Sequence, residues 1–132
     1  MSRRTDWVAQ MWAQVEDHSD APFAWGINDC CLFVARVIDA MTETSHELDL
    51  ASQYTDEATA LAYIASHGSL ETAVSFHLGN PSSGRAQRGD AVLCANNGNP
   101  CVGICVGGNV ACMGQNGLVF LPRQEITTRW EI

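Results

Sequence analysis

The spacing of apolar side chains changes once along the chain. In the first half it has a helical period. Trp7, Met11, Trp12 and Val15 recur at that spacing, with Thr5 or Asp6 as the cap. A turn-rich link, Ala21-Pro22-Phe23-Ala24-Trp25-Gly26, follows. Asn28 or Asp29 then caps a second helix, which carries Phe33, Val34, Val37, Ile38 and Met41 on one face. A third helix starts at Thr55, runs through Leu61 and Ile64, and ends near Gly68. Ser69 caps a short fourth helix that ends near Gly79.

After a Pro-, Ser- and Gly-rich loop over 80–89, the period becomes that of strands. Ala91–Cys94, Cys101–Val106, Val110–Met113, Leu118–Leu121 and Thr128–Glu131 form short apolar runs. Residues 96–99, 107–109 and 115–117 supply Asn- and Gly-rich turns between the first four. Helices followed by an antiparallel meander predict one α+β domain over residues 1–132, with the N-terminal helices packed on the sheet.

Composition narrows the function. Hydrophobic residues make up 46% and charged residues 17%, which suits a globular core rather than disorder. Lys and Arg total 7 against 15 Asp and Glu, a formal charge of -8. Such a chain lacks the basic footprint that a phosphate backbone demands, so nucleic acid is excluded as a partner. No apolar run is long enough to span a bilayer, and the first residues do not read as a signal peptide. The expectation is therefore a protein made in the cytoplasm, with its six cysteines reduced and available for catalysis, for metal or for packing.

The sharpest local signal is Trp25-Gly26-Ile27-Asn28-Asp29-Cys30-Cys31-Leu32-Phe33-Val34. It puts a thiol in the first turn of an amphipathic helix, where free N–H groups and the helix dipole favour a thiolate. Asp29 opposes that ionisation. This stretch resembles the nucleophile motif of NlpC-type peptidoglycan peptidases, in which an Asp-Cys pair opens the core helix. Arg88-Gly89-Asp90-Ala91-Val92-Leu93 and Val102-Gly103-Ile104-Cys105-Val106-Gly107 are similar to the family's next two strand segments, in the same order. With the C-terminal Arg129-Trp130-Glu131-Ile132, the layout is similar to small NlpC-like proteins encoded with phage and prophage tail genes.

The resemblance implies a papain-like NlpC fold and a peptidoglycan-directed, cysteine-peptidase-like role at a tail tip. It implies Cys30 as nucleophile, and hub or other tail proteins as partners. It also implies residence in the host cytoplasm during assembly and then in the virion tail. The family's catalytic histidine falls at Cys101, and its third polar group falls near Ala111 or Cys112. His18, His46, His67 and His77 all precede the strand half. A base must stand within ~2.6–3.2 Å of the thiol, so the expected enzyme is impaired. A structural tail-tip subunit without activity is the rival.

The turn at Asn97 and Gly98 sets Cys94 opposite Cys101, and paired residues share a face of the sheet. Cys112 falls opposite Cys105 by one count and nearer Cys101 by the family register. Cys105 lies ~13 Å along its strand from Cys101 at ~3.3 Å per residue, too far for one small site. On a papain-like fold the Cys30 helix covers this face. Cys30, Cys94, Cys101 and Cys112 then converge as candidate ligands for zinc or an iron–sulfur cluster.

Overall fold

The computed structural model of the chain describes residues 2–132. Five helices come first: α1 (Trp7–Asp17), α2 (Cys30–Thr42), α3 (His46–Ala51), α4 (Glu57–Ser66) and α5 (Leu70–Leu78). Five strands follow: β1 (Ala91–Asn96), β2 (Asn99–Cys105), β3 (Asn109–Gly114), β4 (Gly117–Pro122) and β5 (Ile126–Trp130). The α+β expectation holds. The capping positions explain where helices begin. Asp29 accepts from the Leu32 amide, Asp56 and Thr59 form a reciprocal capping box, and Ser69 accepts from the Thr72 amide. Asp6 makes no such cap bond. The third predicted helix thus starts after Asp56, and α3 is an additional short helix in a stretch without helical apolar spacing.

The strands form one antiparallel sheet in the order β4-β3-β2-β1-β5. The last strand does not extend the meander. It returns to the free edge of β1, with a bulge at Leu93/Cys94. α2 lies against β2 and β3, with α1 and α3 beside it. Period-2 alternation then divides the sheet into two faces. Val102, Ile104, Ala111, Met113 and Trp130 join Phe33, Val34, Val37 and Ile38 in the main core under the helices. Val92, Cys94, Cys105 and Val110 form a separate cluster with Ala86, and Cys101 packs at its margin.

Two buried carboxylates pin the chain to this frame. Asp90, 1% exposed, accepts from the Gln87 amide at 2.8 Å and stands 3.7 Å from Arg3 and 3.6 Å from Arg129. The Arg88-Gly89-Asp90 tripeptide is therefore a turn leading into β1, with Gly89 and Asp90 buried and Arg88 exposed. The second carboxylate, Asp29, belongs to the site below. Among the described residues, no helix is long and apolar enough to cross a membrane.

Trp130 fixes the last strand: it is 1% exposed, and its indole N–H donates to the Ser75 hydroxyl of α5 at 3.2 Å. Trp130→Ala should cost about 3–5 kcal/mol in a urea titration, because a large cavity opens between β5 and α5. A loss below about 1 kcal/mol would contradict this packing.

Candidate functional site

The site begins with Asp29, which is fully buried. One carboxylate oxygen accepts from the Leu32 amide at 2.9 Å, and the other accepts from the Gly26 amide at 3.0 Å. The Tyr54 hydroxyl reaches both oxygens at 2.9 Å. A buried carboxylate needs such donors to offset its lost hydration. The Trp25-Gly26 turn, the start of α2 and the segment after α3 therefore meet at one side chain. Gly26 has φ +78, and a Cβ there would lie 2.3 Å from the Thr55 carbonyl oxygen. Only glycine fits that approach.

This arrangement presents Cys30 as the first residue of α2, half-buried. Its thiol is held below the ordinary value, first by a hydrogen bond from the Cys31 thiol. The Val102 amide adds to this, while burial and the Asp29 charge act against it. Cys31 is correspondingly pushed well up. The surroundings of Cys30 therefore favour its thiolate. Its surroundings contain no imidazole partner among the described hydrogen bonds.

Each histidine is engaged elsewhere. His18 meets the Gln14 carbonyl and Arg36, and packs against Phe33. His46 pairs with Asp39 at 3.2 Å. His67 packs on Tyr63 and Phe76. His77 meets the Tyr63 hydroxyl at 2.7 Å, and burial lowers its pKa. His46 and His77 do approach a cysteine's surroundings, but the wrong one. They line an apolar cavity of about 60 Å³ into which Cys31 faces, rather than Cys30.

The residue at the expected histidine position, Cys101, has other neighbours. It pairs across the ladder with Cys94, as the turn chemistry predicts. The two sulfurs are 3.4 Å apart, and the Cys112 thiol donates to Cys101 Sγ at 2.9 Å. The three sulfurs lie within 4.8 Å of one another, close enough to bind a metal. The register of Cys112 is also resolved. Ile104 pairs with Ala111 and Cys105 with Val110, so Cys112 is not opposite Cys105 and lies on the Cys101 side of the strand. Gly103 puts no side chain between Cys112 and its diagonal neighbour Cys101.

The expected convergence of four thiols is corrected to three. Along β2, Val102 and Ile104 point under α2, so Cys101 points to the other face. Cys30 packs with the helix-side core and is not in the group of three. It remains near enough for its charge to raise Cys101 and Cys112. Cys105 is also apart, taking a hydrogen bond from Arg123 at 3.0 Å.

The three thiols share their first ionisation. Cys94 falls to about 4, first through its hydrogen bond with Cys101 and then through its interaction with Cys112. The Cys112 hydrogen bond pulls Cys101 down, but its bond to Cys94, burial and the nearby charges outweigh that and raise it to about 12. Cys112 is raised, first by its hydrogen bond to Cys101. Tyr54, as the partner of Asp29, and the Val102 amide have no local signature; each joins the site only through tertiary packing.

The chain belongs to the family described as Domain of unknown function (DUF6950), which matches residues 2–132. No curated protein matches the chain.

Two measurements probe this geometry. Tyr54→Phe removes a donor to a buried carboxylate and should cost about 1.5–3 kcal/mol in a denaturant titration; an unchanged midpoint would contradict the contact. The lowered pKa of Cys30 means that its thiolate survives to lower pH than a free thiol. Its iodoacetamide labelling should reach half-rate below pH ~8.5. Cys31→Ala should move that midpoint upward by removing the first donor. A midpoint that stays put in the variant would refute the role of Cys31.

Proposed function

We propose that this chain is a tail-tip component of a phage or prophage particle, built on an NlpC-like papain fold, that has lost full peptidoglycan peptidase activity. The observation that carries the reading is the company Cys30 keeps. The nucleophile position is intact: an Asp-capped thiol opens the core helix and is stabilised as a thiolate. The general base is not beside it, and the residue standing in the histidine position, Cys101, is bonded to two other thiols. A thiolate with no base to shuttle the proton to the leaving amine forfeits orders of magnitude in rate. A fold can outlast its chemistry, and the resemblance to tail-encoded NlpC-like proteins supports retention for assembly on a hub. On this reading the protein is made and assembled in the host cytoplasm and ends in the virion tail.

The gathered thiols support a second element of the reading, a resident zinc ion. Zinc binds thiolates at about 2.3 Å, which sets tetrahedral sulfurs about 3.8 Å apart. The 2.9 and 3.4 Å separations open to that spacing with shifts under an ångström. An iron–sulfur cluster spreads its cysteines over several irons, and sulfurs this close suit a single ion better.

Purified protein incubated with sacculi should release no soluble muropeptide, and Cys30→Ala should behave as wild type. Mass spectrometry of purified particles from the strain that encodes the chain should find it in the tail fraction. Muropeptides released by wild type and lost in Cys30→Ala would overturn the loss of activity. Absence from the tails would overturn the assembly role.

A further inference from the structure

We propose that the zinc site of Cys94, Cys101 and Cys112 keeps an open fourth position, facing a groove between the β1–β2 and β3–β4 turns, and takes an exchangeable ligand there. The proposal rests on the zinc reading above. Zinc at a closed structural site takes four protein ligands, whereas three leave a position for water or another small donor. Among the described residues, the group has three ligand atoms and no fourth histidine, cysteine or carboxylate.

The three thiols are not equally covered. Cys94 and Cys112 are buried, closing the inner side, and Cys101 is half-buried. Cys101 lines a groove of about 530 Å³. Its walls carry the amides of Asn96, Asn97, Asn99, Gln115 and Asn116. None of the groove's side chains is charged, and none but Cys101 is a thiol or imidazole. Amide oxygens suit hard ions such as magnesium and calcium, and compete poorly for a thiolate-bound zinc. They do both donate and accept hydrogen bonds, which suits them to orient a ligand seated on the metal. The fourth donor therefore comes from outside the chain: water at rest, displaced by a small neutral nitrogen or sulfur donor that fits among the amides.

The Gly103 position contributes to the geometry. A Cβ there would meet the Ala111 carbonyl oxygen and Val110 Cγ1, each at 2.7 Å. A larger residue would push β2 from β3 at the point where Cys101 and Cys112 must approach. The same glycine that permits the strand pairing thus leaves the diagonal between these thiols clear.

The test uses the full chain, purified without oxygen and loaded with cobalt(II) in place of zinc. Thiolate-to-cobalt charge-transfer and d–d bands should appear at one equivalent. Imidazole, added as the probe, should shift the d–d bands saturably, in wild type and in Cys30→Ser alike. Cys112→Ser should lose the charge-transfer intensity, with far-UV circular dichroism confirming the fold. Cys101→Ser, at the half-buried position, serves if that variant unfolds. Bands that imidazole leaves unmoved would overturn the open position while leaving the metal reading intact. Under that outcome, a change in Cys30→Ser would identify Cys30 as the closing ligand. Failure of wild type to bind cobalt or zinc would overturn the metal reading itself.

Discussion

The fully buried carboxylate of Asp29 is the constraint on which the rest of this structure depends. Burial removes it from bulk solvent, so the chain must bring donors to it. Those donors come from three places: the Gly26 turn, the first turn of α2 and Tyr54, which lies 25 residues further on. Satisfying one side chain therefore fixes the angle at which α2 starts and the position of the segment that follows α3. It also places Cys30, the next residue, where helix N–H groups and the Val102 amide meet. The same charge works against the thiolate that it positions. The hydrogen bond from Cys31 outweighs that opposition, so the Cys30 thiolate is favoured by a neighbouring thiol.

The second constraint is the pleat of the sheet. Side chains on β2 alternate between the helix-covered core and the opposite face. Val102 and Ile104 are committed to the core by their packing against α2, and this sends Cys101 to the other side. There it meets Cys94 across one ladder and Cys112 across the next. Three neighbouring strands, β1, β2 and β3, therefore bring three thiols to one point on that face.

Much of this frame is legible in the sequence. The change of apolar period separates helices from strands, and Asp29, Ser69 and the Asn-Gly turn announce their own positions through capping and turn chemistry. The Cys94–Cys101 pairing follows directly from that turn. What is not legible depends on tertiary choices. α3 has too few residues for a periodic signal. The return of β5 to the edge of β1 leaves no local trace, because a strand's partner is chosen by the whole sheet. The register of Cys112 turns on how many residues the 107–109 turn consumes, and the sequence allows two counts. The face assigned to Cys30 relative to the other thiols depended on which side of the sheet α2 covers, and only the packing decides that.

The proposed function turns on two sets of contacts: Cys30 beside Cys31, and Cys101 beside Cys94 and Cys112. A crystal structure of the protein purified without oxygen would test it most directly. The account predicts Cys30 Sγ beside the Cys31 thiol and the Val102 amide, with Cys94, Cys101 and Cys112 gathered on the other face. A histidine nitrogen within ~3.2 Å of Cys30 Sγ would place a base beside the thiol and contradict it.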